Sequence, residues 1–240
     1  MRGSPQMLAF ADAQARSSSW RRRALGLSIA AQLRRRIAGG ESVVYAVEET
    51  QALLLAGLSD LHEEVLISAI AGLGHRPCDQ ALQPLLALIA HPDSDVRWHL
   101  ACSLESYSQP EALQALMQLG RDSDSRVRDW ATFGVGTIQH VDTPEVREFL
   151  WGQLPDLDAN VRGEALKGLA ERQDERVVPY LVAHLNEDCG SLELEAAEQA
   201  ASPLLLVPLQ RIADAVAGQD LDLMWLGQLY AAIEACEAQS

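Results

Sequence analysis

The chain lacks most of the features that announce a membrane protein, a secreted protein or an enzyme. No stretch of its 240 residues approaches the roughly eighteen consecutive apolar residues that a membrane-crossing helix needs, so no membrane partner is expected. Near the N-terminus the only apolar segment is MLAFA, too short for the core of a secretory leader. The four cysteines (Cys78, Cys102, Cys189 and Cys236) stand far apart and form no C-x-x-C pair. That excludes a dense disulfide framework and predicts a reducing, cytoplasmic setting. Aromatic residues make up only 5% of the chain, while alanine and leucine abound. Strands favour aromatic and β-branched side chains, whereas alanine and leucine favour helix.

Motifs that carry chemistry are missing as well. There is no G-x-S-x-G, no P-loop and no G-x-G-x-x-G; GVGTIQ from Gly134 lacks the third glycine. The six histidines (62, 75, 91, 99, 140 and 184) are scattered, without the i, i+4 spacing and nearby second ligand of a zinc site. No catalytic residue, metal or other cofactor is therefore expected, and an enzyme is not predicted.

Basic residues are scarce too, except at one end. Residues 1–40 hold eight arginines (2, 16, 21–23 and 34–36) against Asp12 alone, a local charge of +7. The rest of the chain carries eleven basic and thirty-three acidic groups, a charge of −22. An acidic body repels phosphate backbones and attracts basic proteins. Any nucleic-acid role is thus confined to the N-terminal end.

What the sequence does have is a phrase written several times. DSDVRWHLACSL begins at Asp93, DSDSRVRDWATFGVG at Asp122 and DLDANVRGEALKGLA at Asp156. Val65, Val96, Val127, Val161 and Leu192 fall in register at equal intervals, except that the step from Val127 to Val161 is slightly longer. The longer step reflects extra residues around IQHVDTP. Apolar residues recur at i+4 (Ala69, Leu100, Ala131, Ala165, Ala196) and at i+8, one stripe of a helix. A small residue recurs at i+7: Gly72, Ser103, Gly134 and Gly168. Glycine costs a helix about 1 kcal/mol against alanine, so its return implies close approach of a second helix. Asp93, Asp124 and Asp158 stand three residues before the valine, where a carboxylate caps free backbone N–H groups. Capping also accounts for the D-x-D pairs. DSDSRVRDWATF fails as a calcium loop, with Val127 at its sixth position and Phe133 at its twelfth.

A second apolar stretch follows each phrase: ALQPLLALI, ALQALMQL, VREFLWGQL and VVPYLVAHL. Each unit is therefore helix, turn, helix. One pair cannot bury its apolar face alone, but stacked pairs share a continuous core. DSDVRWHLACSL and DLDANVRGEALKGLAERQDERVVPYLVAHL resemble bacterial HEAT repeats of the short type also called phycobilin-lyase HEAT-like repeats. The resemblance covers residues 60–200 and implies an all-α, right-handed solenoid of about a dozen helices with no sheet. The expected plan is a divergent basic cap over 1–59, about five repeats over 60–213 and a closing helix over 214–240. It also implies that Arg97, Arg128 and Arg162, each directly after the aligned valine, pair with acids of adjacent repeats.

In solenoids of this kind the second helices generally line the inner face. Taking Leu85, Leu116, Leu150 and Leu181 as inward points the flanking residues outward. That nominates Gln114, Gln118, Glu148, Phe149, Gln153, Tyr180 and His184 as partner contacts, along with Gln83, Pro84, Ala87, Leu88, Ala115, Leu119, Gly152, Pro179 and Ala183. Phe149 and Tyr180 are the expected aromatic anchors, and Trp98 on a first helix is an outlying candidate. Single-domain HEAT-like proteins of this sort resemble products found beside bacterial toxin genes. The resemblance together with the acidic body thus implies a protein-binding scaffold, in its sharpest form an immunity protein that occludes a basic toxin. It also leaves a bilin lyase as an alternative, and a HEAT-like DNA glycosylase, which the acidic body disfavours.

Overall fold

A computed structural model describes residues 2–37 and 40–239. Among the described residues the chain is all-α apart from one short hairpin, and it falls into two compact units, Met1–Leu119 and Gly120–Ser240. The first unit holds α1 (Pro5–Ala15), α2 (Trp20–Gln32), strands β1 (Arg34–Arg36) and β2 (Ser42–Val44), α3 (Val47–Gly57), α4 (Glu63–His75), α5 (Asp79–Leu86), α6 (Ser94–Leu104) and α7 (Pro110–Leu119). The second holds α8 (Ser125–Phe133), a π-helical turn (Gly134–Ile138), α9 (Pro144–Gln153), α10 (Ala159–Glu171), α11 (Val177–His184), α12 (Ser191–Ala200), a 3-10 turn (Pro203–Leu205), α13 (Leu206–Val216) and α14 (Leu223–Glu237).

The repeat phrases are first helices of helix pairs. In the first unit α2 packs broadly on α4 and α4 on α6; in the second, α8 packs on α10, α10 on α12 and α12 on α14. The aligned Val65, Val96, Val127 and Val161 are all buried, as are Ala69, Leu100, Ala131 and Ala165 one turn on. Each unit is therefore a solenoid of stacked pairs. The second helices of each unit touch one another much less. Within each unit the first helices thus form the more closely packed row. The second helices stand further from one another.

Local chemistry sets the helix starts. Asp93 accepts the N–H groups of Asp95 and Val96, Asp124 that of Arg126, and Asp158 that of Asn160. At α4 the cap has moved to His62, while Asp60 accepts the N–H of His62. At α12 the cap is Gly190.

The arginine after the aligned valine closes the turn before its helix. Arg128 donates to the Asp122 and Ser123 carbonyls and makes a two-pronged bond to Asp156 of the next repeat, at 2.7 and 2.9 Å. Arg162 donates to the Asp156 and Leu157 carbonyls. Arg23 repeats the arrangement in α2: it takes the Ser17 and Ser18 carbonyls and holds Asp60 at 2.6 and 2.9 Å. The basic N-terminal segment thus contains a diverged repeat helix.

The expectation of no sheet is corrected by β1 and β2, an antiparallel hairpin pairing Arg34 with Val44 and Arg36 with Ser42. A run of three arginines reads as surface charge and carries no period-two signal. The hairpin forms because its base is fastened from outside the segment. Leu33 is fully buried and its carbonyl accepts the N–H of Tyr45. The turn end uses Gly40 at φ 87°, a left-handed conformation that glycine adopts without strain.

Candidate functional site

A shallow cleft of about 550 Å³ lies between α9 and α11, lined by Trp151, Arg176, Pro179, Tyr180, Ala183 and His184 among others. Helix α9 explains which side chains reach it. Val146, Phe149, Leu150 and Gln153 are buried, an i, i+3, i+4, i+7 stripe. Glu148 and Trp151 are left on the other side. In α11, Val177 and Leu181 are buried, which turns Tyr180 and His184 outward.

Three rings make up the cleft's surface. Trp151 meets Tyr180 edge to face, with centroids 6.1 Å apart. Tyr180 stacks on His184 at 4.1 Å. Arg176 lies over the Trp151 ring at 4.7 Å, an attraction between a cation and the negative ring face. Arg176 also holds Glu148 at 2.6 Å and Asp174 at 2.8 Å. The Arg176 guanidinium, helped by Arg147, holds the Asp174 carboxyl down at about 2. The arginine is thereby fixed under the tryptophan. A smaller cavity, of about 320 Å³, lies on the far side of Tyr180 and His184 toward Asp188 and Glu193.

Of the nominated contacts, Glu148, Tyr180 and His184 come together here. Phe149 and Gln153 do not, and their placement is corrected. Phe149 is 4% exposed, and its ring occupies the space left by the missing side chain of Gly120. Gln153 is buried and donates to the Gly120 carbonyl and to Thr132 Oγ1. Both follow from a stripe four residues wide where a single inward leucine had been assumed. Ala115 and Leu119 are buried in α7 for the same reason, while Gln114 and Gln118 are exposed on that helix in the first unit. Trp98 is half-buried on α6, edge-on to His99 at 4.7 Å. The residues missed were Trp151 and Arg176. The signal for Trp151 was its place one after Leu150 in the buried stripe, on the flank that adjoins the next repeat.

Across α10, α12 and α14 the second unit carries a polar cluster. Lys167 bridges to Glu195 at 2.7 Å, and Gln228 donates to the same carboxylate at 3.0 Å. Beside them Glu164 is pushed up to about 7, chiefly by burial, with Asp129 and Glu195 adding repulsion and Lys167 opposing it. Burial raises Asp129 too. Among the described residues, no group of three or more histidine, cysteine or acidic side chains is arranged to hold a metal ion, and no helix is long and apolar enough to cross a membrane.

Comparison with known proteins agrees with this architecture. Residues 51–136 match the family model for HEAT repeats, and residues 161–187 match that for the PBS lyase HEAT-like repeat. Over 95 residues the chain is 30% identical to Protein YibA of Escherichia coli (strain K12); the alignment covers 40% of this chain and 34% of that protein. It thus spans about a third of the length of the curated relative. The X-ray structure of E. coli YibA superposes with a TM-score of 0.70 at 22% identity, covering 98% of this chain and 82% of that one. The crystal structure of an engineered protein superposes with a TM-score of 0.55 at 19% identity, covering 97% of this chain and 68% of that one. At these identities the likeness is one of fold.

Proposed function

We propose that this chain, a HEAT-repeat solenoid, is a non-enzymatic scaffold that binds a basic protein through the α9–α11 cleft. The observation that carries this reading is the Trp151–Tyr180–His184 cluster, three rings gathered at the surface of a chain with few aromatics. Large, stiff rings contribute contact area at little entropic cost and dominate many interfaces. Glu148, Glu175 and Asp188 lie around them, and the body beyond position 40 carries a charge of −22. A basic partner is attracted over distance and then held by the rings.

The finer reading is an immunity protein that neutralises a basic toxin by covering its active surface. The acidic body supports it, as does the likeness of short HEAT-like proteins to products encoded beside toxin genes. Paired Trp151→Ala and Tyr180→Ala substitutions are expected to weaken the partner complex by more than about 2 kcal/mol with helix content unchanged by circular dichroism. The test is affinity capture from the native host with wild type and variant in parallel, followed by reconstitution with the purified partner. Capture of the same partner at the same affinity by both would end the cleft assignment. For the immunity reading, co-expression with the basic product of an adjacent gene should protect cells, and survival lost in the double variant is the expected result.

A further inference from the structure

The first unit carries a second feature, separate from the cleft. Arg2, Arg34, Arg35 and Arg36, with Ser42 and Tyr45, line an open cavity of about 1100 Å³. Arg34 is tied to the Ser42 carbonyl at 2.6 Å and to Ser42 Oγ at 3.3 Å, which fixes one guanidinium against the hairpin. Among the described residues no carboxylate pairs with any of the four, and no side-chain bond engages Arg2, Arg35 or Arg36. Outside the cavity lining, a buried arginine feels the charge of Arg34. Arg76 is 3% exposed and bonds only to the Ala31, Leu33 and Tyr45 carbonyls and Thr50 Oγ1. Ser4 and Pro5, the start of α1, also border the cavity, so the positive end of an eleven-residue helix opens there.

In a protein of net charge −15, four exposed arginines line one cavity that no carboxylate borders. Water and salt screen part of their repulsion, and a polyanion seated among them would relieve the rest. One phosphate group balances no more than two of them. Guanidinium forks match phosphate oxygens in pairs. We propose that this cavity binds the polyphosphate group of a small soluble ligand, with Arg2, Arg35 and Arg36 as movable clamps and Arg34 as the fixed one. Room exists for an organic part: a cleft of about 570 Å³, walled by Leu8, Ala9, Leu53 and Ala56 with Asp12, Glu49 and Asp60 also on its lining, shares Pro5 and Tyr45 with the basic cavity.

The test is calorimetric titration of the full chain at low ionic strength with inorganic tripolyphosphate, ATP without divalent metal, and orthophosphate. Tripolyphosphate is expected to bind one to one and to raise the melting temperature. Paired Arg35→Gln and Arg36→Gln substitutions should weaken it at least about tenfold, since each removes a charge-assisted contact, and Arg2→Gln alone should weaken it less. Arg211→Gln, on exposed α13, is the charge control and should leave binding unchanged. Equal affinity for ATP and tripolyphosphate assigns the site to the phosphate chain alone. Tighter ATP binding that Tyr45→Ala abolishes assigns the organic part to the shared wall. The proposal is overturned if tripolyphosphate does not saturate, if orthophosphate binds as tightly, or if the arginine variants bind like wild type. It is also overturned if a single-stranded oligonucleotide displaces tripolyphosphate at equal phosphate concentration, because the ligand is then a nucleic acid.

Discussion

Arg76 and Arg172 occupy the same place in their repeats, eleven residues after the aligned valine, one in each unit. Both are guanidiniums turned back to gather carbonyl groups left over by the preceding repeat. Arg76 takes Ala31, Leu33 and Tyr45 and so fastens the base of the arginine hairpin. Arg172 takes Val135, Gly136, Gln139, Val141 and Gly168 and so fastens the π-helical turn. Burial lowers the pKa of both. Their surroundings differ in sign. Around Arg172, Asp142 and Asp174 are shared with Arg147 and Arg176 in a compensated network. At Arg76, burial comes first and the charge of another arginine, Arg34, adds repulsion. One structural device has been built into a neutralised setting in one unit and an uncompensated one in the other. Stability alone favours the first, and the second is the setting of the proposed anion site.

The comparison breaks most directly if the two arginines are not equivalent. Arg76→Ala and Arg172→Ala should each cost about 3 kcal/mol or more in urea unfolding, because several buried carbonyls lose a charged donor at once. A small loss at one site alone would mean that its loop holds itself together.

The π-helical turn that Arg172 fastens depends on glycine contact. A Cβ on Gly168 would lie 2.6 Å from Gly136 Cα, whereas one on Gly152 would meet nothing within 4 Å. Gly168→Leu should therefore cost about 2–3 kcal/mol by overpacking, and Gly152→Ala should cost nothing by that route. Equal melting temperatures for the two variants would remove the close approach from the account of the second unit.

The acids of the second unit should titrate in opposite senses. Between about 4.5 and 7 the folded chain keeps a proton on Glu164 that the unfolded chain has released. The stabilisation from this site is thus full below the ordinary glutamate value and is lost as pH rises to about 7. Glu164→Gln should flatten that fall, on the order of 1–2 kcal/mol. Asp174 works the other way, supplying stability above 3.8 that disappears as pH drops toward 2. Unfolding free energies measured across pH separate the two, and an unchanged slope in Glu164→Gln would reject the first.

The smallest effect sharpens the contrast in charge. Arg35→Glu should raise the melting temperature slightly at low salt by relieving repulsion in the first unit. Asp142→Asn should lower it slightly by uncovering Arg147. Both shifts should fade in high salt, since exposed charges are screened. If Arg35→Glu destabilises, the arginines of the hairpin are not in excess.

Much of the architecture was legible before any coordinates. The regular interval from Val65 to Leu192 named the first helices, and Asp93, Asp124 and Asp158 marked their starts. The cleft was half legible. Tyr180 and His184 were found because α11 is short and its apolar stripe is narrow. Phe149 was misplaced because α9 buries a wider stripe, and the reason lies a whole repeat earlier, in the missing side chain of Gly120. Trp151 escaped because a tryptophan beside a core leucine reads as core until the neighbouring second helix is seen to stand off.

Periodic quantities are written in the chain itself: which stretches are helices, where they begin, which face is apolar and how charge divides along its length. These depend on residues one helical turn or one repeat apart, and a linear pattern records them. Packing alone settled which row of helices is tight, where the second row opens a cleft, and that three arginines form a hairpin instead of a solvated run. Those outcomes rest on contacts between residues far apart in the chain, Arg76 with Leu33 and Phe149 with Gly120. No local propensity encodes such contacts.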